Sequence, residues 1–392
     1  MTPYRIPYGR QSIDQADIDA VVEVLKSPWL TQGPMIERFE GALAEYCQAG
    51  FAVAVCNATA ALHIACLAAG LGPGDALWTS PNTFVASANC GRYCGAEVDF
   101  VDIDPQTLNM DARLLAQKLE LAEASGTLPK VVVAVAFAGQ SCDMQAIARL
   151  SERYGFVLIE DAAHAVGASY QRRPVGCGAH AAMTIFSFHP VKIITSAEGG
   201  MVLTNRPEFA ERLRRLRSHG ITSDPAQMDV PAEGLWYYQQ LELGFNYRMT
   251  DVHAALGLSQ MTRLDEFVAQ RRRLAGRYES LLAGLPLTLP SAQPGAESAW
   301  HLYVVRLQLD RIGLSQREVF EQLRAAGLGV NLHYIPVHLQ PYYREQGFAE
   351  GDFPEAEAYF HQAISLPLYP ELTDEQQDES AAHVRRVLSG RA

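Results

Sequence analysis

The sequence predicts an α/β fold with a largely parallel sheet, followed by a smaller α+β domain. Three observations predict it. Short runs apolar on both faces recur at 51–56 (FAVAVC), 97–103 (EVDFVDI), 131–137 (VVVAVAF) and 156–160 (FVLIE). Amphipathic segments such as 111–124 and 143–154 separate several of these runs, the pattern of strands covered by helices on both sides. Near residue 249 the texture changes to longer helical segments and proline-punctuated strands, which suits an α+β unit better than more of the same sheet.

Taken in order, residues 1–13 are too short for a domain and read as an arm packed across the rest. Ile18, Val21, Val22 and Leu25 follow helical spacing, and 35–49 reads as a second helix. ALWTS (76–80) adds a strand, and 182–188 (AMTIFSF) and 200–204 (GMVLT) add two more that lie close together in sequence. These elements form a large domain over 14–249. A helical pattern from Thr250 to about Leu282 is interrupted by Gly257 and Gly276 and reads as kinked or split. After Pro286, Pro290 and Pro294 come the strand-like WHLYVVRLQL and helices near 315–326, 353–364 and 373–389, so 250–392 form the smaller domain.

The chain has 392 residues, 48% of them apolar, which is ample for a large core with a companion. Its net charge of −12 argues against a nucleic-acid partner, which calls for a basic stripe. Seven cysteines without a C-x-x-C pair read as free thiols of a reducing compartment. Cys90 and Cys94 lack the companions a zinc site requires, so no metal is expected. No signal peptide and no apolar stretch of about 18 residues is visible, so the expectation is a soluble cytoplasmic protein without a membrane partner.

The chemistry concentrates in 156–200. Asp161 follows the buried strand FVLIE, at the carboxyl end where open α/β sheets place their ligands. Downstream, SFHPVKIITSAEGG (187–200) carries the lone Lys192 between apolar stretches, with Ser187 before it. A buried lysine keeps some neutral amine near pH 7 and can act as a nucleophile; an exposed one only solvates a surface. Asn57-Ala58-Thr59, between a strand and the helix AALHIACLAAG, is small enough to cradle a phosphate or simply to cap that helix. Phe84, in the loop PNTFVAS, is either a stacking platform for a flat ring or a core residue.

SFHPVKIITSAEGG, EDAAHAVG (160–167), SPWLTQGP (27–34) and NYRM (246–249) resemble, in order and spacing, the DegT/StrS family of sugar aminotransferases. The resemblance spans nearly the whole chain. It implies the fold-type I pyridoxal-phosphate transferase architecture, with a mostly parallel seven-stranded sheet, and a homodimer with both active sites at the interface. By the same resemblance Lys192 holds pyridoxal 5′-phosphate, and Asp161 pairs with its ring nitrogen. His164 lies near its phenolic oxygen, Ala58, Thr59 and Ser187 form the phosphate cup, and Phe84 stacks on the ring. Asn246 reaches the phosphate from the neighbouring subunit. A ping-pong transamination follows, with pyridoxamine phosphate as the form between half-reactions and Lys192 as general base and acid.

NLHYIPVHLQPYY (331–343) looks like the substrate loop of the transaminases making UDP-4-amino-4,6-dideoxy-N-acetyl-β-L-altrosamine, on the way to pseudaminic acid; LRSHG (216–220) and AISLPLY (363–369) resemble that subgroup too. On this analogy Tyr8, Trp29, Thr31, His333, Tyr334 and Pro336 meet a UDP-linked 4-keto-6-deoxy-N-acetylhexosamine, with Lys26 or Arg248 at the diphosphate and glutamate as amino donor. Amination of another nucleotide keto sugar is the alternative. A dehydratase of the same fold would carry histidine in place of Lys192, and a non-catalytic sensor would not need Asp161, Ser187 and Lys192 together.

Overall fold

The computed structural model describes residues 4–389, so residues 1–3 of the expected arm and 390–392 of the expected C-terminal domain lie outside the described residues. A seven-stranded sheet orders its strands Phe51–Val55, Gly200–Thr204, Met183–Ser187, Val157–Asp161, Val131–Val135, Ala76–Thr79 and Glu97–Phe100. Gly200–Thr204 runs antiparallel to both of its neighbours; the other pairings are parallel. Segment 188–199 forms no helix that could cover a parallel crossover, and the chain returns antiparallel.

Alternation along the strands divides the core. Val53, Val55, Val131 and Val133 face the helices Ala58–Ala68 and Ala86–Tyr93. Val132, Ala134 and Leu158 face Ala112–Ser125 and Met144–Tyr154, while Ala52, Ala54 and Phe186 face Pro34–Cys47. Both faces of the sheet are therefore covered, which explains the absence of polar alternation in its strands except at the edge, where Glu97–Phe100 alternates exposed Glu97 and half-buried Asp99 with buried Val98 and Phe100. Two strands are shorter than their apolar runs: Glu97–Phe100 stops before 101–103, and Val131–Val135 gives way to a 3-10 turn at Phe137–Gly139. Asp161 is the last residue of its strand rather than the first beyond it.

The expected helix over 250–282 is split, but not at a glycine. Asp251–Met261 ends at Thr262 and Leu264–Leu281 begins after Arg263. Gly257 instead lets Phe39 approach, because a Cβ there would lie 2.6 Å from the ring, and Gly276 meets nothing within 4 Å. Asp251–Met261 packs on Gln15–Lys26 and Pro34–Cys47. Leu264–Leu281 joins two cores: Leu264, Phe267 and Val268 pack with Phe39 and Phe188, and Leu274, Ala275 and Tyr278 pack with Tyr303, Val305 and Leu366. The core thus changes along this helix, beyond the change of texture at 249. The second core lies on a three-stranded antiparallel sheet of Leu287–Thr288, Tyr303–Leu307 and Ala363–Leu366. Ile6–Pro7 of the arm pairs with Leu328–Gly329, and the Leu368 N–H donates to the Tyr8 carbonyl (3.0 Å). Among the described residues no helix is long and apolar enough to cross a membrane.

Candidate active site

Strands Val157–Asp161 and Met183–Ser187 end side by side, which brings Asp161 and Ser187 to the same edge of the sheet. The 188–199 connection carries Lys192 over that edge. Its flanks anchor it: Ile193 and Ile194 are buried in the core, and Thr195 donates through Oγ1 to the Phe188 carbonyl (3.0 Å). Across the edge, the helix Ala58–Ala68 starts with Asn57 as its cap, whose Oδ1 accepts the Ala60 N–H (2.8 Å). The Ala58 and Thr59 N–H groups belong to the helix's first turn, which has no internal acceptors. Gly200 lies against this turn so closely that a Cβ on it would fall 2.5 Å from the Asn57 carbonyl carbon and 2.6 Å from the Ala58 nitrogen.

Together these elements enclose a cavity of about 610 Å³. It is lined by Tyr8, Ala58, Thr59, Phe84, Asp161, His164, Ser187, Lys192, His333 and Tyr334, ten of the residues singled out from the sequence. Lys192 is the single lysine or arginine in the lining among the described residues. Burial pulls its amine down to about 8, and the nearby Asp161 carboxylate only partly offsets this. A substantial fraction of neutral amine is therefore present near physiological pH.

Burial pushes Asp161 above the usual carboxylate range, against three stabilising contacts. Ser87 donates from Oγ to its Oδ2 (2.6 Å), the Ala163 N–H to its Oδ1 (3.1 Å), and Lys192 adds charge attraction. Since Ser87 spends its proton on Asp161, Thr83 Oγ1 donates to Ser87 (2.8 Å). His164 is held well below its ordinary value by burial, and further by Lys192 and His333, so its ring is neutral. Its Nε2 lies 3.3 Å from the Tyr334 hydroxyl, and its Nδ1 is buried with no partner among the described residues. His333 is pushed down to about 3, chiefly by burial. Asn331 Nδ2 reaches its Nε2 (3.3 Å), which leaves its Nδ1 proton for Ser365 Oγ (2.8 Å). Phe84 is 56% exposed, at the cavity mouth rather than in the core.

The remaining predicted residues do not line this cavity. Trp29 and Thr31 are exposed, and Thr31 bridges to Thr250. Lys26 pairs with Glu23 on its own helix (3.2 Å), and Pro336 is buried at the start of the Val337–Leu339 turn. Arg248 is half-buried, and Asn246 is exposed and bridged to Ser218. Conversely, Thr83, Ser87, His301 and Asn331 line the cavity and were not singled out. Ser87 stands in PNTFVASA four residues after Thr83, which meets it from the loop leading into the helix Ala86–Tyr93; His301 was read only as part of a strand.

Residues 11–385 match the DegT/DnrJ/EryC1/StrS aminotransferase family. The chain belongs to that family. The spore coat polysaccharide biosynthesis protein SpsC of Bacillus subtilis is 40% identical over 388 residues, covering 98% of this chain and 97% of SpsC. Helicobacter pylori PseC, an aminotransferase involved in the biosynthesis of pseudoaminic acid, has a TM-score of 0.89 at 29% identity, over 98% of this chain and 99% of PseC. Spr1654 of Streptococcus pneumoniae in its PLP form has a TM-score of 0.87 at 30% identity over 99% of both chains, and it is also known in a PMP form. Like its DegT-family relatives, this protein is a pyridoxal-phosphate-dependent sugar aminotransferase.

The cavity fits that cofactor. The close approach of Gly200 fixes the Ala58–Thr59 turn at the cavity wall, the His164 Nδ1, unpaired among the described residues, offers a hydrogen bond, and Lys192 and Asp161 provide an amine and a buried carboxylate. When bound, the cofactor accepts electron density from a breaking C–H bond. The residues around it set the terms of that chemistry. With the cofactor bound, the buried Asp161 carboxylate would keep a proton on its ring nitrogen. Lys192, whose amine burial pulls down to about 8, would take a proton from one carbon and return it to another.

Proposed function

We propose that this aminotransferase moves an amino group from glutamate to C4 of a UDP-linked 4-keto-6-deoxy-N-acetylhexosamine. The observation that carries the reading is a hydrogen-bonding part of the wall in the cavity that holds Lys192. Tyr8, His333 and Tyr334 come from the arm and from NLHYIPVHLQPYY, and they line the same cavity as Lys192 and Asp161. Those groups are neutral hydrogen-bonding side chains and rings, which suits hydroxyl and acetamido substituents better than a charged acceptor. The likeness to PseC along 98% of the chain supports a sugar of the pseudaminic acid route. The likeness to SpsC favours a second reading, another nucleotide keto sugar bound for a surface polysaccharide.

The assignments inside the site follow from the same reading. Lys192 and Asp161 are catalytic; Ala58, Thr59, Ser187, Phe84 and His164 hold the cofactor. A cavity with one cation is short of positive charge for a phosphate and a diphosphate together. A second copy of the chain supplies the missing groups, with Asn246 at the phosphate and Arg248 near the diphosphate; Lys26, Trp29 and Thr31 stand on exposed surface that the nucleotide would cross. The exposed Val230, Leu235, Trp236, Tyr238 and Leu243 give that homodimer an apolar contact.

The test incubates protein, pyridoxal phosphate and glutamate with the UDP-linked keto sugar and follows 2-oxoglutarate and the amino sugar by mass spectrometry. Formation of both products supports the assignment. 2-Oxoglutarate without an amino sugar moves the assignment to another nucleotide sugar.

A further inference from the structure

One buried guanidinium grips both carbonyls of the Trp300–His301 step. Arg271, on Leu264–Leu281, is 1% exposed and donates from Nη1 to the carbonyls of Trp300 (3.2 Å), His301 (3.2 Å) and Leu368 (3.0 Å). Burial alone shifts its pKa, downward, and among the described residues no carboxylate pairs with it. An interior charge without a counter-ion is costly, and an apolar side chain would fill the volume at less cost. What the position gains is therefore the three carbonyl contacts.

The same backbone is confined from the other side. Gly139, at φ +102°, would place a Cβ 2.8 Å from the His301 nitrogen, 2.9 Å from the Trp300 nitrogen and 3.0 Å from the His164 carbonyl oxygen. Its own carbonyl accepts the Ala299 N–H (2.9 Å), and Trp300 is held in the left-handed region at φ +51°. This clamp presents the His301 ring, 4.4 Å from that of His164. Both rings line the cavity, both are buried, and the Nδ1 of each has no partner among the described residues. The third carbonyl leads to the opposite wall: Leu368 donates its N–H to Tyr8, whose ring lies 5.4 Å from His333.

We propose that Arg271 is a positioning residue of the active site: through the Trp300 and His301 carbonyls it seats His301 against His164 and so fixes the orientation of the His164 ring. The inference rests on reading this cavity as the active site and not on the identity of the sugar.

The test is a double-mutant cycle read without substrate. Holoenzyme loaded with pyridoxal phosphate is titrated with pH while its visible absorption band is followed. His301→Phe keeps the ring volume and removes the nitrogens; Arg271→Lys keeps the charge and loses the geometry. Each is expected to move the midpoint of the titration by about half a pH unit or more, and the shift is expected to fall by at least about half in a His164→Gln background. Cofactor content and thermal unfolding establish that each variant is folded. If Arg271→Lys does not fold, Arg271→Gln, which keeps an N–H donor for the carbonyls without the charge, takes its place in the cycle. Midpoints that do not move, or shifts equal in both backgrounds, overturn the proposal. A wrong sugar assignment would leave the titrations as expected and fail only in turnover.

Discussion

The Gly200 α-carbon faces the Asn57–Ala58 peptide so closely that any side chain on residue 200 would overlap it, at 2.5 Å from the Asn57 carbonyl carbon. Two segments far apart in sequence thereby set the shape of one turn. Gly200→Ala must displace that turn, an overpacking cost of about 1–3 kcal/mol. The expected outcome is pyridoxal phosphate affinity weakened about tenfold or more, by spectroscopic titration of the apo chain. Gly276→Ala is the control, because nothing lies within 4 Å of its site and it sits inside a helix. There alanine should stabilise by about 0.5–1 kcal/mol.

Lys192→Met should end turnover and, unusually for a residue proposed as catalytic, stabilise the apo chain. The folded amine titrates at about 8 against an ordinary 10.5. Between those values the unfolded chain binds the proton more readily, so stability contributed through this group rises as pH rises from about 8 to 10.5. Below pH 8 the buried charge costs about 3 kcal/mol. Urea unfolding at pH 7 should show Lys192→Met more stable, with the gap closing by pH 10.5. An unchanged pH slope in the variant would assign the effect to another group.

How much of this could be read from the chain depended on whether the signal was local. Six of the seven strands were legible because burial on both faces removes polar alternation, as in VVVAVAF, whereas the edge strand Glu97–Phe100 keeps it. Lys192 and Asp161 were legible because SFHPVKIITSAEGG and EDAAHAVG are dense, short motifs. The break at Thr262–Arg263 was not, since glycines draw the eye, yet Gly257 serves the contact with Phe39. His301 was hidden for a different reason. Its place beside His164 is made by Arg271 and Gly139, and no periodicity relates those three positions. Ser87 lies between these cases, because its local spacing to Thr83 is visible but its bond to Asp161 is a tertiary contact.

That bond makes its own prediction. Ser87 Oγ is 2.6 Å from Asp161 Oδ2, and burial already raises the carboxyl's pKa. Ser87→Ala removes a donor to the ionised form, so the pKa rises further and more pH is needed to keep the carboxylate. A hydrogen bond to a charged group contributes about 1.5–3 kcal/mol, so a fall in kcat of about tenfold is expected. The acid limb of the pH–rate profile should move to higher pH. Asp161→Asn should fold and lose more activity than Ser87→Ala; a reversed order would mean that the serine acts by another route.

The exposed segment around Trp236 carries the last prediction. Leu235 is fully exposed, and Val230, Trp236, Tyr238 and Leu243 are each more than half exposed on the same stretch. Water contact over that much apolar surface is unfavourable by about 25 cal/mol per Å², a strong drive toward a covering partner. If that partner is a second copy, Leu235→Asp combined with Trp236→Ser should weaken self-association by about a hundredfold or more in sedimentation experiments. On the proposed reading, in which a second copy brings Asn246 to a phosphate for which each cavity holds one cation of its own, cofactor affinity should fall with it. Asn246→Ala should then weaken pyridoxal phosphate binding while leaving the dimer intact. A wild-type chain that sediments as a monomer yet binds the cofactor tightly would remove both expectations at once.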